Sequence, residues 1–532
     1  MLSKVYSAAI HGIEARQVTI ETSAERGCGF LIVGLPDASV KESHQRILSA
    51  IKQSGFLPPR KNVVINLAPA DVKKEGSGFD LPMAVGCMVA DQQIEPVGLE
   101  GYMMMGELAL DGSVLPVAGA LPMAVKAREL GFKRLIVPED NVTEAAVVNK
   151  VEVYGVKNLR EVIELLKGES ELRPTHIDTR ALFMANSGTF DFDFSEVKGQ
   201  EGVKRAFEVA CAGGHNILLV GPPGAGKSML AKRLPSILPP LTMAEALETT
   251  KIHSVAGKLS RGSMLMTTRP FRTPHHTVSP VALVGGGANP MPGEISLAHN
   301  GVLFLDEFPE FPRTVLEVLR QPIEDRVITV SRAKYTVNYP ASFMLVASMN
   351  PCPCGYYGHP KRRCTCQPGQ VQKYMNRISG PLLDRIDIQV EIQPVEFDEL
   401  ASREAGESSA DIRSRVLAAR RVQQERYKGE PAVHCNAQMN SRLLHQYAWP
   451  DETGMKKLKE RMERLSMSAR AFDRILRVAR TIADLDYATR LNPDGTPAMT
   501  PAEAAEAPVT AAHLSEAIGY RSLDRQSYGQ LY

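Results

Sequence analysis

The chain has 532 residues, of which 44% are hydrophobic and 23% charged, a composition ordinary for a soluble globular protein of about three domains. Its net charge is +2, so a nucleic-acid surface would have to be a local patch and cannot be inferred from bulk charge. No apolar run approaches the ~20 residues of a membrane span, and the first residues lack a signal-peptide core. We therefore expect a cytoplasmic protein with no membrane partner.

The N-terminal region, residues 1–168, predicts an α+β domain. Apolar β-type runs such as 63–67 alternate with helix-compatible segments such as 41–53. A strand–turn–strand pattern follows at 105–117, with Asp111-Gly112 as its turn.

Part of this region, 106–119 and 124–138, resembles the proteolytic domain of the Lon proteases. That family uses a Ser–Lys dyad. Here Gly78 stands at the position aligned with the serine and Leu121 at the position aligned with the lysine. Leu121 has no amine to accept a hydroxyl proton, and Ser77, one residue out of place, is better interpreted as a turn hydroxyl. The resemblance implies a Lon-like fold without protease chemistry, serving as a docking or assembly platform.

A polar segment without clear periodicity, 169–190, is predicted to be a linker to an ATPase core at 191–395. The core opens at 192–200, and in AAA+ ATPases a similar segment ending in Gly-Gln lines the adenine pocket. That resemblance makes Val197 and Gln200 candidate nucleotide contacts. Ordinary packing and N-capping are the alternative.

The strongest motif is G-x-x-x-x-G-K-S at 221–228, preceded by the apolar run 216–220 and followed by a helix-compatible segment. This is the context that a phosphate-binding loop requires, because glycines let backbone N–H groups surround a polyphosphate at a helix N-terminus. Lys227 is predicted to reach the β- and γ-phosphates of ATP, and Ser228 to hold Mg²⁺. The nucleotide-binding residues of the loop are Gly221, Pro222, Pro223, Gly224, Ala225, Gly226, Lys227 and Ser228.

A second phosphate-site element is predicted at 301–307, where a buried apolar strand delivers Asp306 and Glu307 at its carboxyl end. In parallel α/β sheets that end faces the ligand. Asp306 suits Mg²⁺ coordination through a water, and Glu307 suits polarisation of the attacking water. A further strand, 341–350, ends at Asn350, which resembles the sensor-1 residue of AAA+ ATPases.

Residues 379–387 resemble the arginine-finger segment of the Mg-chelatase and replicative-helicase branch of AAA+ proteins. In that branch Arg385 would face the ATP of a neighbouring subunit, which implies a ring, here a homo-hexamer. Pairing of Arg385 with a neighbouring aspartate is the alternative.

The C-terminal region, 396–532, is predicted to be a helical lid, within which residues 491–508 are predicted to form a flexible loop. Its segment 466–484 matches the lid helix of the Mg-chelatase family. Arg470 lies in the S-x-R pattern of sensor 2 and would contact the γ-phosphate, with Arg474 or Arg477 as alternatives.

The stretch 251–301 closely resembles the Mg-chelatase family, in which an insertion projects into the ring. It contains His275 and His276. Adjacent histidines point in different directions and no carboxylate lies at metal spacing, so metal binding is disfavoured there.

A β-hairpin is predicted over 326–338, with Arg332 and Lys334 at its tip. In related ring motors the matching hairpin grips DNA phosphates in the central pore. Two basic residues per subunit, repeated around a ring, would give a salt-dependent phosphate track. A solvated turn is the alternative.

Four cysteines form two C-x-C pairs separated by nine residues: Cys352, Cys354, Cys364 and Cys366. Zn²⁺ takes four thiolates tetrahedrally, and in a reducing compartment such clustering indicates metal in preference to a disulfide. Structural zinc is the preferred interpretation, with free thiols and a redox pair as alternatives. The basic residues of this loop could touch nucleic acid.

The order of Lon-like domain, ATPase and lid is similar to that of the ComM/YifB-type Mg-chelatase-like AAA+ proteins and covers nearly the whole chain. The residues themselves support Mg-ATP hydrolysis coupled to a ring. The resemblance implies a hexameric ATP-driven branch-migration helicase or translocase acting on branched or single-stranded DNA, in recombination or natural transformation. Two rivals remain open: the motor subunit of a metal-chelatase-like complex, and an ATP-dependent protease or unfoldase, against which Leu121 and Gly78 argue.

Overall fold

The structure is a computed structural model. It describes residues 2–179, 181, 183, 190–259, 264–287, 290–332, 335–395, 405–465, 467–492, 494 and 496–521. Two β-sheets organise these residues, a seven-stranded sheet in the N-terminal part and a five-stranded sheet in the middle, and helices cover the C-terminal part.

The N-terminal strands are β1 (Leu2–His11), β2 (Glu14–Glu25), β3 (Gly29–Val33), β4 (Asn62–Ala68), β5 (Tyr102–Met104), β6 (Glu107–Leu108), β7 (Val114–Leu115), β8 (Arg134–Pro138) and β9 (Glu152–Val156). Seven of them form a mixed sheet in the order β3-β4-β2-β1-β5-β8-β9. β1 pairs with β2 in antiparallel register, with Val5 opposite Ile20 on the buried face. β6 and β7 form the small antiparallel pair that the Asp-Gly turn predicted.

The N-terminal helices are α1 (Ala38–Gln53), α2 (Asp80–Ala90), α3 (Ala120–Glu129), α4 (Val142–Ala145) and α5 (Leu159–Lys167). Every residue of α2 is buried, as expected for a helix that is apolar on all sides. α2 packs against β1 and β2 and forms the centre of this part of the molecule.

The remaining strands are β10 (Ile217–Val220), β11 (Phe271–Arg272), β12 (Gly285–Gly286), β13 (Met291–Pro292), β14 (Val302–Leu305), β15 (Val327–Arg332), β16 (Tyr335–Pro340), β17 (Met344–Met349) and β18 (Ile388–Glu391). Five of them form an all-parallel sheet in the order β11-β14-β17-β10-β18. Strands β10, β14 and β17 are buried along their whole length, which is why they are continuous apolar runs in the sequence.

The helices after the N-terminal part are α6 (Glu201–Gly213), α7 (Lys227–Ile237), α8 (Met243–Val255), α9 (Pro280–Val284), α10 (Glu294–Leu297), α11 (Arg313–Glu317), α12 (Arg320–Asp325), α13 (Pro368–Met375), α14 (Gly380–Leu383), α15 (Ser409–Arg426), α16 (Ser441–Tyr447), α17 (Glu452–Leu465), α18 (Ala469–Thr489), α19 (Pro501–Glu506) and α20 (Ala511–Gly519). The helical C-terminal part packs through α15 and α18 against α6, and the three share one hydrophobic core.

The stretch 491–508 looked like a loop in the sequence, and the structure corrects this because α19 lies within it. Thr500 and Glu503 form a reciprocal capping box at its start. Arg426 and Arg480, both buried, donate hydrogen bonds to backbone carbonyls of this segment. Those long-range contacts have no local sequence signal.

The N-terminal part packs directly on the ATPase core. Leu121 of α3 is fully buried in a cluster that includes Leu241 and Ala246, and α3 lies against α8. Ser254 of α8 donates a 3.3 Å hydrogen bond to the buried carboxyl of Glu144. The position aligned with the Lon lysine is thus a packing position between the two parts.

The segment predicted as a linker begins on the first sheet. Thr175 pairs with Val153 of β9. None of the described helices has both the length and the apolar run that crossing a bilayer requires.

Candidate active site

The glycine-rich loop joins β10 to α7 at the carboxyl end of the parallel sheet. Gly226 has a φ of 84° and caps α7, so the backbone turns sharply before Lys227. A Cβ at Gly221 would lie 2.7 Å from the carbonyl oxygen of Ile392, so this position also requires glycine. The loop therefore opens a helix N-terminus toward the edge of the sheet, the geometry in which backbone N–H groups bind phosphate.

Asp306 follows β14 and meets the loop at the same edge. Ser228 Oγ donates to Asp306 Oδ2 at 2.5 Å, and Ser348 on β17 donates to the other carboxylate oxygen. A serine hydroxyl beside a carboxylate is a suitable oxygen donor set for Mg²⁺. Ser348 was not anticipated from the sequence; its only signal is a polar residue inside the apolar strand β17.

Lys227 and Asn350 also converge there. The Lys227 amine donates to Asn350 Oδ1 at 3.0 Å and to the carbonyl oxygens of Gly221 and Pro222 at 2.8 and 2.9 Å. Burial lowers the pKa of Lys227, against the opposing effect of Asp306 and other nearby carboxylates. The amine thus lies among oxygen acceptors, where a phosphate oxygen would find a cation.

Glu307 is exposed at this edge and holds a φ of 53°, in the left-handed region. Its carboxylate lies 3.5 Å from Nδ1 of His276, whose ring is tilted by 35° against that of His275 with centroids 4.0 Å apart. The sequence had raised this histidine pair only for metal binding. The position of His276 beside Glu307 depends on how the stretch before β14 folds, so the spacing of the two residues in the sequence did not predict it.

Arg385 lies at the other edge of the sheet. Its carbonyl accepts from Asn216 Nδ2 at 3.4 Å, and Asn216 immediately precedes β10, whereas the phosphate loop follows β10. A four-residue strand spans roughly 13 Å. The Arg385 side chain is 7% exposed and pairs with Glu324 at 2.8 Å, and its Nη1 donates to Pro381 O at 2.6 Å. Arg385 is therefore separated from the phosphate loop of its own chain.

Arg470 lies on this amino edge too. Together with Arg474 and Arg477 of α18 it lines a cavity of about 320 Å³. Arg474 pairs with the fully buried Asp387 at 2.8 Å. Burial alone would raise the pKa of Asp387, but Arg474 and His215 outweigh it and hold that pKa well below the usual range. Arg470 therefore lies at the same edge of the sheet as Arg385, whereas Lys227 lies at the opposite edge.

The two predicted base-pocket residues differ in environment. Val197 is 1% exposed within the hydrophobic core, which corresponds to the packing alternative. Gln200 caps α6 with a φ of 61°, donates to Gln393 O at 2.5 Å and lines an open cavity of about 640 Å³ with Tyr520.

The four clustered cysteines come together, with sulfur atoms that all lie within 4.8 Å of one another. The Sγ–Sγ distances include 3.3 Å for Cys352–Cys354 and 3.5 Å for Cys354–Cys364. A tetrahedron of thiolates about 2.3 Å from Zn²⁺ has edges of about 3.8 Å, so this donor set fits zinc.

The predicted hairpin is present as β15 paired antiparallel with β16. Lys334 and the side chain of Arg332 lie outside the described residues.

The positions that align with the Lon catalytic dyad, and the described residues near them, do not form a comparable polar site. Gly78 has the side chains of Val117 and Met105 as its neighbours. Ser77 donates its hydroxyl to Glu107, a carboxylate. The buried Lys74 donates its amine to the Pro69 carbonyl.

The parallel sheet, the loop 221–228 and the carboxylates after β14 define a P-loop ATPase of the AAA+ class. Family models agree: "Magnesium chelatase, subunit ChlI" matches 193–400, "Subunit ChlI of Mg-chelatase" matches 20–141, and "Magnesium chelatase, subunit ChlI C-terminal" matches 406–496.

The chain is 43% identical to the uncharacterized protein YifB of Salmonella typhimurium and 41% identical to the competence protein ComM of Haemophilus influenzae, over 98% of each pair of chains. Over 143 residues it is 29% identical to Lon protease 2 of Bacillus subtilis, covering 26% of this chain and 25% of the protease. The chain therefore belongs to the YifB/ComM family of Mg-chelatase-like AAA+ ATPases. Membership implies ATP and Mg²⁺ as ligands of an ATPase motor.

Proposed function

We propose that this protein is a hexameric ring motor that couples Mg-ATP hydrolysis to movement on DNA in the cytoplasm, as a branch-migration helicase or translocase in recombination or natural transformation. The observation that carries the proposal is the separation of Arg385 from the phosphate loop of its own chain, at opposite edges of one sheet.

The carboxyl edge supplies the binding half of the reaction. Lys227 and the loop amides hold the triphosphate, while Ser228 and Asp306 hold Mg²⁺, which neutralises phosphate charge. Glu307 polarises the attacking water and Asn350 orients it or the γ-phosphate. Phosphoryl transfer needs mainly positioning and charge, so these groups complete one face of the site.

The amino edge supplies the second face. A head-to-tail contact between copies presents Arg385 and Arg470 to the phosphate loop of the next copy, and such heterologous contacts close into rings. Arg385 is paired with Glu324 in the single chain. That pair gives way when a neighbour's nucleotide offers the guanidinium more negative charge. Six copies per ring is the number that the family resemblance implies.

DNA is the proposed track for two reasons. The relative from Haemophilus influenzae is named a competence protein. Strands β15 and β16 form a hairpin, and the sequence at its turn is basic, with Arg332 and Lys334. Branched or single-stranded DNA is the preferred form.

A metal-chelatase motor subunit is the second candidate, favoured by the names of the matching family models. A third family model, "Subunit ChlI of Mg-chelatase", matches 20–141, so the N-terminal part does not exclude this rival. DNA stimulation of hydrolysis distinguishes the two functions.

The first test is therefore ATP turnover of the purified chain with and without a forked DNA, at low salt. We expect turnover to rise with DNA. Unchanged turnover across forked, single-stranded and four-way DNA would contradict the translocase proposal and favour the second candidate.

The shared site is tested by Arg385→Ala, which should reduce turnover by about 10³–10⁵-fold while ATP binding persists. Arg490→Ala, an exposed arginine paired with Asp486, is the matched control. Mixing Arg385→Ala with Glu307→Gln should recover turnover that neither variant shows alone, because some interfaces then combine an intact Glu307 with an intact Arg385. Full ATP turnover by Arg385→Ala in assembled rings would contradict the proposal that the active site is shared between subunits.

The hairpin is tested by substituting Arg332 and Lys334 together with alanine. DNA affinity should fall and basal turnover should stay. Equal DNA affinity of the variant and the parent would remove the hairpin from the DNA interface.

We also assign structural zinc to Cys352, Cys354, Cys364 and Cys366. Metal analysis of purified protein should find about one zinc per chain. Cys364→Ser should lower that content, and a metal-free parent with four reactive thiols would contradict the assignment.

A further inference from the structure

Charge is distributed very unevenly along this chain. Residues 326–383 contain eight Lys or Arg and no Asp or Glu, although the chain holds 60 acidic residues and has a net charge of only +2. The rest of the chain is therefore net acidic. A basic segment of this kind is what nucleic-acid phosphates attract when bulk charge does not.

One described part of this segment that faces solvent is the cysteine loop, residues 351–367. Lys361, Arg362 and Arg363 are all exposed on it. Arg362 donates to the Tyr356 hydroxyl at 2.8 Å, and its guanidinium carbon lies 5.2 Å from the centre of the Tyr356 ring. A cation beside an aromatic ring is the combination with which proteins hold the backbone and bases of single strands.

The loop is held in place at both ends of the basic run. Cys354 precedes the run and Cys364 follows it, with their sulfur atoms 3.5 Å apart. The close approach of the sulfur atoms brings the two arms of the loop together, so the three charges project from a constrained turn.

The same loop lies against the nucleotide site. Gly355 has a φ of +84°, and a Cβ there would lie 2.5 Å from Cδ of Pro223 in the phosphate loop. Only glycine permits this approach. A ligand on the cysteine loop would therefore lie one loop away from the bound triphosphate.

We propose that the exposed basic face of the cysteine loop, formed by Lys361, Arg362 and Arg363 beside Tyr356, is a binding surface for the phosphate backbone of DNA, separate from the hairpin. The proposal rests on the proposed DNA function and adds the surface that engages the strand next to the ATP site.

The test measures binding of a fluorescein-labelled forked DNA to the full chain by anisotropy over a range of salt concentrations. Lys361→Gln, Arg362→Gln and Arg363→Gln are combined in one variant. Loss of three phosphate contacts should reduce the slope of log affinity against log salt by about 2–3 and weaken binding at least about tenfold at low salt.

The matched control removes three exposed lysines from α17 on the lid, as Lys456→Gln, Lys457→Gln and Lys459→Gln. It has the same loss of net charge and should keep the slope of the parent. Arg362→Lys with Arg363→Lys should bind within about twofold of the parent, because phosphate contacts need charge. Basal ATP turnover of each variant reports whether the site beside the loop is intact.

Parent-like slope and affinity in the glutamine variant would overturn the proposal while leaving the DNA function in place. An equal loss in the lid control would overturn it as well, since bulk charge would then explain the effect. If the parent protein binds no DNA at low salt, that result contradicts the proposed DNA function itself.

Discussion

The two sheets differ in the residues found where the related families carry catalytic groups. In the seven-stranded sheet region, Gly78 is bordered by Val117 and Met105, and Leu121 is buried in the packing between the two parts of the chain. In the five-stranded sheet, the carboxyl edge gathers polar groups that hydrogen-bond to one another, such as Ser228 with Asp306.

The difference is between a position that serves packing and a site built from paired polar groups. In the Lon-like part, Leu121 contributes to the apolar packing at the position where the Lon family has lysine. An ATP site needs paired polar groups, which cost free energy to bury unless each finds a partner. Such paired polar groups meet at the carboxyl edge of the five-stranded sheet, and this contrast is the basis of our proposal that catalysis belongs to the ATPase part.

Among the tests of this contrast, the largest effect is expected at the carboxyl edge of the five-stranded sheet. Glu307→Gln should reduce ATP turnover by about 10²–10⁴-fold, because the attacking water loses its base, and should leave ATP affinity near that of the parent. Glu310→Gln, three residues along and paired with Arg377, is the control. Measurement of turnover and of ATP binding separates the two roles. An active Glu307→Gln protein would break the contrast between the sheets.

The next effect is on stability at the amino edge. Asp387→Asn leaves Arg474 without its buried partner and should lower the free energy of unfolding by about 3–5 kcal/mol, seen in denaturant unfolding. Because the pKa of Asp387 is held low, its contribution is present above the pKa of the unfolded chain and is lost as pH falls through the folded value.

Glu391→Gln, exposed at the end of β18, the strand that Asp387 immediately precedes, is the matched control for Asp387→Asn and should change little. A similar small effect for both variants would mean that the Asp387–Arg474 pair contributes no more than a surface charge.

A smaller, pH-dependent effect is expected where the two parts of the chain meet. Burial raises the pKa of Glu144 to about 7 from 4.5, against the opposing backbone hydrogen bonds from α3. The folded protein then holds a proton that the unfolded chain releases, so stability should fall as pH rises from about 4.5 to 7, by up to about 3 kcal/mol.

Glu144→Gln should remove that slope, so it should be more stable than the parent at pH 8 and nearly equal to it at pH 5. Melting temperatures of the parent, Glu144→Gln and the exposed control Glu139→Gln report this difference. A parent and a Glu144→Gln protein with parallel pH profiles would show that Glu144 is ionised normally.

The last variant, in the N-terminal part, is expected to have no effect on ATP turnover. Ser77→Ala should leave ATP turnover unchanged, and neither the variant nor the parent should degrade unfolded casein. Casein cleavage by the parent that Ser77→Ala abolishes would reverse the interpretation of the N-terminal part and restore the protease alternative.

Much of the ATP site was predictable because its parts are local. The glycine loop, the strand ending in Asp306-Glu307 and the strand ending in Asn350 each combine a buried apolar run with polar residues at its carboxyl end. Parallel topology then brings those ends to one edge. By contrast, Ser348 and His276 reach the site from within a strand and from a long connection, where no spacing rule applies.

The sequence by itself determined the fold class, the phosphate loop and the strands that carry its partners, since hydrophobic periodicity and short motifs depend on neighbours along the chain. Only the tertiary structure decided that Arg385 and Arg470 lie across the sheet from that loop, that α19 interrupts the C-terminal loop and that the cysteine loop touches Pro223. Those facts depend on contacts between residues far apart in the chain, and such contacts leave no periodic signal.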